Sequence, residues 1–275
     1  MPDPTFPLDA YAARIGWSGP LPVDPATLVA LHRHHAHAVP FENIDPLCGR
    51  PISIDPEALV RKIIHQRRGG YCYEQNGLFC LALQTTGFST ISLAARVAIS
   101  EGQYAARTHQ ITLVDFGGSR WLADVGFGGN GLIEAIPFEL ECEFDQGLDR
   151  YRLVTEPTYG YRLQHLLPHG WRTLYAFSLD PFLPADYRAL NYFISRSPDS
   201  TFTQIPICVR TTPTERRLIV ADQYKVRTAA GTSVPEKIET PARMRELLVE
   251  QLGIPVPDDL VLPTPQPAPA GTRDI

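Results

Sequence analysis

The chain is short of several things, and each shortage closes off a class of protein. It has only five cysteines (Cys48, Cys72, Cys80, Cys142 and Cys208), an odd number, scattered without metal-type pairs. That argues against a disulfide framework and a zinc site, and points to reduced thiols in a cytoplasmic protein. No apolar run approaches the ~20 residues of a membrane span. Met1-Pro2-Asp3-Pro4 shows neither a basic n-region nor an apolar h-region, so no secretory signal is expected. Cationic excess is missing too. The 25 Lys and Arg face 30 Asp and Glu, and a net charge of −5 argues against non-specific nucleic-acid binding. There is no internal repeat. What remains is the composition of a globular protein, 44% hydrophobic and 20% charged. Its 275 residues exceed the usual size of one core, which predicts two or three domains.

The stretch that organises the chain is Arg67-Arg68-Gly69-Gly70-Tyr71-Cys72-Tyr73-Glu74-Gln75-Asn76. Two glycines permit a sharp turn where a Cβ would clash. An apolar run follows (Leu78, Phe79, Leu81, Ala82, Leu83) and reads as a buried helix that stops near Gly87. Cys72 then falls in the first helical turn, where unpaired N–H groups and the positive end of the macrodipole favour a thiolate. A buried apolar thiol is the competing reading, equally weighted on spacing alone. Two later stretches tip the balance. Thr108-His109-Gln110-Ile111-Thr112-Leu113-Val114 alternates like a strand, and Arg120 to Gly129 reads as a second strand with Asp124 inside it. Cys, His and Asp on separate elements are what a thiol nucleophile needs: a base to take its proton and a carboxylate to orient the base.

Up to about Thr86 the chain reads as helical. Asp9 to Ile15 and Pro25 to Val39 are candidates, the second with Leu28 and Leu31 on one face. Its histidines, His32, His34, His35 and His37, lack a Cys or carboxylate at ligand spacing and read as a partly solvated face, so no metal is expected. Asp55-Pro56-Glu57 is a start signal with Asp as N-cap. Leu59, Val60, Ile63 and Ile64 form the buried side of the helix that follows. From Ser89 the period falls to about two. Strands are expected at Ile91–Ile99, His109–Phe116, Trp121–Val125, Tyr151–Thr155, Tyr161–Leu166 and Trp171–Phe177, suggesting an antiparallel barrel or sandwich. Pro181 to Phe193 reads as a helical connection. Strands near Ile205–Arg210, Arg217–Ala221 and Tyr224–Arg227 follow, then a helix capped by Thr240 and stopped by Gly253. The Pro-rich tail from Pro255 is expected to be poorly ordered at its end.

Several of these pieces occur together in one known family. The chain resembles the arylamine N-acetyltransferases in Arg14-Ile15-Gly16, Pro40-Phe41-Glu42-Asn43, Arg68 through Asn76, Ala95-Arg96-Val97, Thr108-His109 and Asp124-Val125-Gly126-Phe127-Gly128. These keep the family's order and cover most of the first 130 residues. The last third matches in layout, with Ser197-Pro198-Asp199-Ser200 before Phe202. Gly129 to Ile133 lacks the proline the family pattern has there.

The resemblance implies an α+β fold with a cysteine-protease/transglutaminase-like core in three domains. These are a helical bundle (1–88) carrying Cys72, an antiparallel β-barrel with a connecting helix (89–195) carrying His109 and Asp124, and a C-terminal α/β lid (196–275). It implies a Cys72–His109–Asp124 triad that moves acetyl from acetyl-CoA to arylamines, arylhydrazines or N-hydroxyarylamines. It also suggests oxyanion donors at the backbone of Cys72 and near Gln110. Thr108, Gly126, Gly128 and Gly129 are the cofactor candidates. Phe41, Tyr71, Val97, Phe127 and Phe202 are the acceptor-pocket candidates, and Arg68 and Glu42 are expected to pair and hold the Cys72 loop.

The chemistry agrees. Acetyl transfer from a thioester to a thiol is nearly balanced in free energy, so the acyl group stays activated for the amine. A thiol hydrolase of papain or transglutaminase type uses similar groups, but the papain-type local signature is missing. An amide synthase of the same fold, closing a macrolactam from an acyl thioester, is a nearer rival. A non-catalytic binding module would not need Cys72, His109 and Asp124 together. The sequence leaves the oligomeric state open.

Overall fold

The computed structural model describes residues 6–269. The extreme ends, including Met1–Thr5 and the last six residues of the tail, lie outside the described residues.

Helices come first. α1 (Leu8–Ile15) and α2 (Pro25–Ala38) pack together, the second capped by Asp24, whose carboxylate accepts the Thr27 N–H at 2.8 Å. The short α3 (Ile44–Leu47) and α4 (Pro56–Leu59) follow, and α4 runs on as a π-helical turn, Val60–His65. Asp55 precedes α4 as expected, but its side chain makes no capping bond; its carboxylate accepts the Ser53 hydroxyl instead. Then α5 (Cys72–Thr86) ends at Gly87, φ 105°. The expected solvated histidine face of α2 is wrong for His32 and His35. Both are fully buried, packed edge-on against Phe79 of α5.

Strands take over at Ser89. β1 (Ser89–Ser100), β2 (Gln103–Asp115), β3 (Arg120–Ala123), β4 (Ile136–Pro137), β5 (Glu143–Asp145), β6 (Arg150–Glu156), β7 (Gly160–Leu167) and β8 (Gly170–Pro181) form one antiparallel sheet. Its order is β4-β3-β2-β1-β8-β7-β6-β5. The chain just past β4 bonds back to β6, Glu141 N–H to Leu153 O at 2.8 Å, so the sheet nearly closes into a barrel. Leu93, Ile111, Leu113, Leu153, Leu163, Tyr175 and Phe177 fill it. The outer face of β2 and β3 (Val114, Ala123) packs on the helices through Phe79, Ala82 and Leu83. β2 is therefore buried on both sides from His109 to Val114, which masks the alternation expected of a half-exposed strand.

The chain then runs through α6 (Pro184–Arg196) and α7 (Thr201–Gln204) into a second sheet. That sheet holds β9 (Ile207–Thr211), β10 (Glu215–Val220), β11 (Gln223–Thr228), β12 (Gly231–Thr232) and β13 (Glu236–Lys237). α8 (Pro241–Glu246), continued by a π-helical turn to Gln251, covers it with Met244, Leu247, Leu248 and Leu252. Leu260 and Leu262 of the tail pack into the same cluster, so this part of the tail is anchored. β9 bonds to the helical region through a reciprocal Phe41–Val209 backbone pair, both bonds 2.9 Å. The fold is α+β, with helices, a nearly closed barrel sheet and a second sheet meeting around Phe41 and Cys72.

Candidate active site

Cys72 is the first residue of α5 and is 5% exposed. What fixes the helix start is Glu74, whose Oε2 accepts the Tyr71 N–H at 3.0 Å. This is the backward arm of a capping box. The Cys72 N–H has no acceptor among the described residues, as befits a first-turn amide. The two glycines before it are needed for close approach rather than for a left-handed turn. Neither has a positive φ, and a Cβ on Gly69 would sit 2.0 Å from Pro40 O.

Beneath this loop lies a buried charge cluster. Arg68 Nε donates to Glu42 Oε1 at 2.9 Å, and Arg68 also reaches Asp45 at 3.2 Å. Lys62 bonds Asp45 at 2.7 Å and Glu74 at 2.8 Å. Glu42 Oε2 accepts the Ile44 N–H at 2.8 Å. The expected Arg68–Glu42 pair is thus present, within a larger set of two cations and three carboxylates.

His109 approaches Cys72 from β2. Its Nε2 is 2.7 Å from Asp124 Oδ2, and the Cys72 side chain adds to the electrostatics that favour a charged ring. Burial works against a charge on the ring, but Asp124 outweighs it, with help from Cys72, and His109 is pushed up to about 10. The Cys72 Sγ also lies 3.8 Å from Thr108 O. Thr108 is an extra residue in the ladder: Ala95 pairs with His109 and Arg96 with Arg107. Such a bulge re-aims the strand beside the site.

Asp124 was expected inside a strand. β3 ends at Ala123, and Asp124 opens the loop beyond it, 1% exposed. Its Oδ1 accepts from Asn76 Nδ2 at 2.9 Å and from the Gly126 N–H at 3.0 Å. Its own N–H donates to His32 Nε2 at 3.0 Å, so His32 Nδ1 carries the proton and donates to Ile133 O at 2.9 Å. Burial pushes His32 down to about 4, in keeping with a neutral ring. Asn76 also donates to Gln110 O at 2.6 Å. In a strand the N–H and C=O of one residue point to the same side. The Gln110 N–H therefore lies on the α5 side of β2, as does its carbonyl.

Cys72 and His109 open onto a cavity of about 460 Å³. Phe41, Val97, Phe127 and Phe202 line it, as do Thr108 and Gly126. Phe127 stands edge-on to His109, ring centroids 5.2 Å apart. Three of the expected cofactor and acceptor residues do not line this cavity. Tyr71 is fully buried and hydrogen-bonded to Asn191. Gly128 has φ 91° and packs against Phe41, and Gly129 is buried with its carbonyl on Arg216. Sequence reasoning missed Asn130, Arg172, Thr173, Leu174, Phe193 and Ile194 on the cavity wall. Leu174 is a bulge in the β7–β8 ladder, invisible to period counting. Asn76 had a signal, since it sits four residues after Cys72 on the same helical face. Among the described residues no group of His, Cys, Asp or Glu is placed to hold a metal ion, and no helix is long and apolar enough to cross a membrane.

A thiol at a helix N-terminus, a histidine bridging it to a buried carboxylate and an apolar cavity in front are the parts of a thiol-dependent acyl-transfer enzyme. Comparison with known proteins gives the family. A family model described as N-acetyltransferase matches residues 24–261. The arylamine N-acetyltransferase of Escherichia coli K12 is 34% identical over 253 residues, 91% of this chain and 90% of the relative. The solved arylamine N-acetyltransferase of Salmonella typhimurium superposes with a TM-score of 0.85 at 31% identity, covering 92% of each chain. The Mycobacterium marinum arylamine N-acetyltransferase, solved in complex with CoA, gives 0.84 at 31% identity, covering 90% of this chain and 92% of that one. The chain belongs to the arylamine N-acetyltransferase family.

Proposed function

We propose that this enzyme transfers an acetyl group from acetyl-CoA to the nitrogen of arylamines, arylhydrazines or N-hydroxyarylamines through an acetyl-Cys72 intermediate. The observation that carries this reading is the Cys72–His109–Asp124 chain facing a large apolar cavity. In the first half-reaction the Cys72 sulfur attacks the acetyl carbonyl. The carbon–sulfur bond to CoA breaks, and the CoA thiolate takes the proton held on His109. In the second, the amine nitrogen attacks acetyl-Cys72, passes a proton to His109 and releases the Cys72 thiolate beside the imidazolium. Asp124 keeps the ring oriented and stabilises its charge. The unpaired N–H of Cys72 and the N–H of Gln110 are the oxyanion donors.

Phe41, Val97, Phe127 and Phe202 serve as the aromatic acceptor's walls, with Thr108 and Gly126 beside the donor's acyl end. Tyr71, Gly128 and Gly129 act from behind the wall, and Arg68 and Glu42 hold the Cys72 loop. The CoA complex of the Mycobacterium marinum relative supports a CoA thioester as donor. The division at residues 88/89 and 195/196 into bundle, barrel and lid belongs to the same reading. The test is a screen of aniline, hydrazine and hydroxylamine acceptors with acetyl-CoA, reading released CoA thiol. No turnover with any of them would overturn the acceptor class.

A further inference from the structure

The loop from Asp124 to Gly131 supplies Phe127 and Asn130 to the cavity, yet it belongs to no strand ladder. A segment without ladder bonds needs another tether for its backbone. Arg216, on β10 of the second sheet, provides it. Its side chain is 1% exposed. Nη1 donates to Gly129 O at 2.5 Å, and Nη2 to Gly131 O at 2.9 Å. Nη2 also reaches Asp149 Oδ2 at 2.6 Å and the Tyr151 hydroxyl at 3.1 Å. Tyr151 in turn donates to Gly131 O at 2.6 Å.

We propose that Arg216 is a positioning residue for acetyl transfer: it pins Gly129 and Gly131 and thereby holds Phe127 and Asn130 as the wall against which the amine lies. The proposal rests on the acyl-transfer reading above. The geometry separates it from a plain buried ion pair. Asp149 does not depend on Arg216 for partners, since it also bonds His165 at 2.7 Å and Arg227 at 2.8 Å. Arg227 touches the carboxylate but makes no bond to the loop. Among the described residues, Arg216 alone joins the carboxylate to the loop carbonyls. A planar fork does this with two nitrogens at fixed spacing, and one ammonium does not.

Two variants divide the roles. Arg216→Lys keeps the charge beside Asp149 and loses the fork, so it should raise the KM for the arylamine about ten-fold or more. That lies within the ~10²-fold that a misplacement of 1 Å can produce. Its kcat should stay within about threefold, and acetylation of Cys72 by the small donor p-nitrophenyl acetate should stay near wild type. Arg227→Gln weakens the ion pair and leaves the loop tethered, so it should lower the melting temperature with an unchanged KM. Equal KM in both variants, or a rise shared by both, would overturn the positioning role. Amide hydrogen exchange gives an independent reading: the Gly131 N–H, which donates to Gly128 O at 3.0 Å, should exchange faster in Arg216→Lys than in the wild type, and equal rates would also overturn the role. If wild-type Cys72 takes no acetyl group from acetyl-CoA, the acyl-transfer reading has failed instead.

Discussion

Asn76 Nδ2 lies 2.9 Å from Asp124 Oδ1, and Asn76 stands one helical turn beyond Cys72 on α5. One helix thus carries both the thiol and the group that fixes the carboxylate two steps away from it. The same amide reaches Gln110 O, and its Oδ1 accepts the Val125 N–H at 2.9 Å, so helix, strand and loop are tied at one side chain. Asn76→Ala removes a hydrogen bond to a charged group, typically ~1.5–3 kcal/mol. The activity should fall by about 10- to 100-fold, with acetyl-Cys72 still formed, only slowly. Single-turnover mass spectrometry measures this directly. Wild-type acetylation rates in Asn76→Ala would show that Asp124 is held well enough without it.

The acyl-enzyme itself is the next expectation. With acetyl-CoA and no amine, intact mass should show one added acetyl group, on Cys72. Steady-state kinetics should be ping-pong, because one thiol serves both half-reactions. Cys72→Ala should abolish the adduct. Two of the other thiols, Cys80 and Cys48, are poor competitors: burial pushes Cys80 up, and Cys48 up to about 11. An adduct on Cys80, or sequential kinetics, would remove Cys72 from its role.

The His109–Asp124 pair gives stability a pH signature. His109 is raised from the ordinary ~6.5 to about 10 in the folded protein. A raised histidine stabilises the fold fully below its unfolded value and stops doing so as pH rises through its folded value. The melting temperature should therefore fall between about pH 6.5 and pH 10. Asp124→Asn removes the charge that raises the ring, so its profile should be flatter over that range and its activity lower by orders of magnitude. A wild-type profile as flat as that of Asp124→Asn would contradict the ion pair.

The elements that were legible in the sequence are those whose signals are local. The α5 start at Cys72 and its stop at Gly87, the α8 start at Pro241 and the main strands of the barrel all follow from capping, period and turn chemistry. The juxtaposition of Cys72, His109 and Asp124 came from residue types and from the family pattern. What stayed hidden is what the topology brings together over distance. His32 meets Asp124 across 92 residues and Arg216 meets Gly129 across 87. A histidine in a helix looks the same whether it faces water or a backbone amide, so His32 and His35 were misread as solvated. Bulges at Thr108 and Leu174 shift side chains by one position, and no period count reveals them.

The charge cluster under the Cys72 loop should be sensitive to one truncation. Arg68 is 4% exposed and bonds Glu42 and Asp45. Arg68→Ala leaves Lys62 alone to face Glu42, Asp45 and Glu74. Breaking a buried pair from one side typically costs ~3–5 kcal/mol. Soluble yield and melting temperature should both drop, and activity per folded molecule should drop as the Cys72 loop loosens. A stable and fully active Arg68→Ala protein would mean that Lys62 suffices.

The glycines after Asp124 allow a final, sharper test, because two of them are bare for different reasons. Gly126 has no unusual backbone angle, but a Cβ there would lie 2.7 Å from Asn76 Nδ2 and 2.9 Å from Cys72 Cα. One of those neighbours is backbone, so Gly126→Ala must push the loop away from α5 and strain both the Asn76 bond and the bond from the Gly126 N–H to Asp124. Gly128 is different. Its φ of 91° disfavours any side chain, while the nearest atom to its Cβ is Phe41 Cγ at 3.4 Å, an ordinary contact. Gly128→Ala should therefore lower the melting temperature and spare the thiol chemistry. Gly126→Ala should depress Cys72 acetylation by acetyl-CoA and by p-nitrophenyl acetate alike, since the damage is to the carboxylate's setting and not to a cofactor channel. The two donors read apart the alternatives. Loss with acetyl-CoA alone in either variant would place the CoA arm against these glycines, and equal loss with both donors in Gly128→Ala at an unchanged melting temperature would bring Gly128 into the chemistry itself.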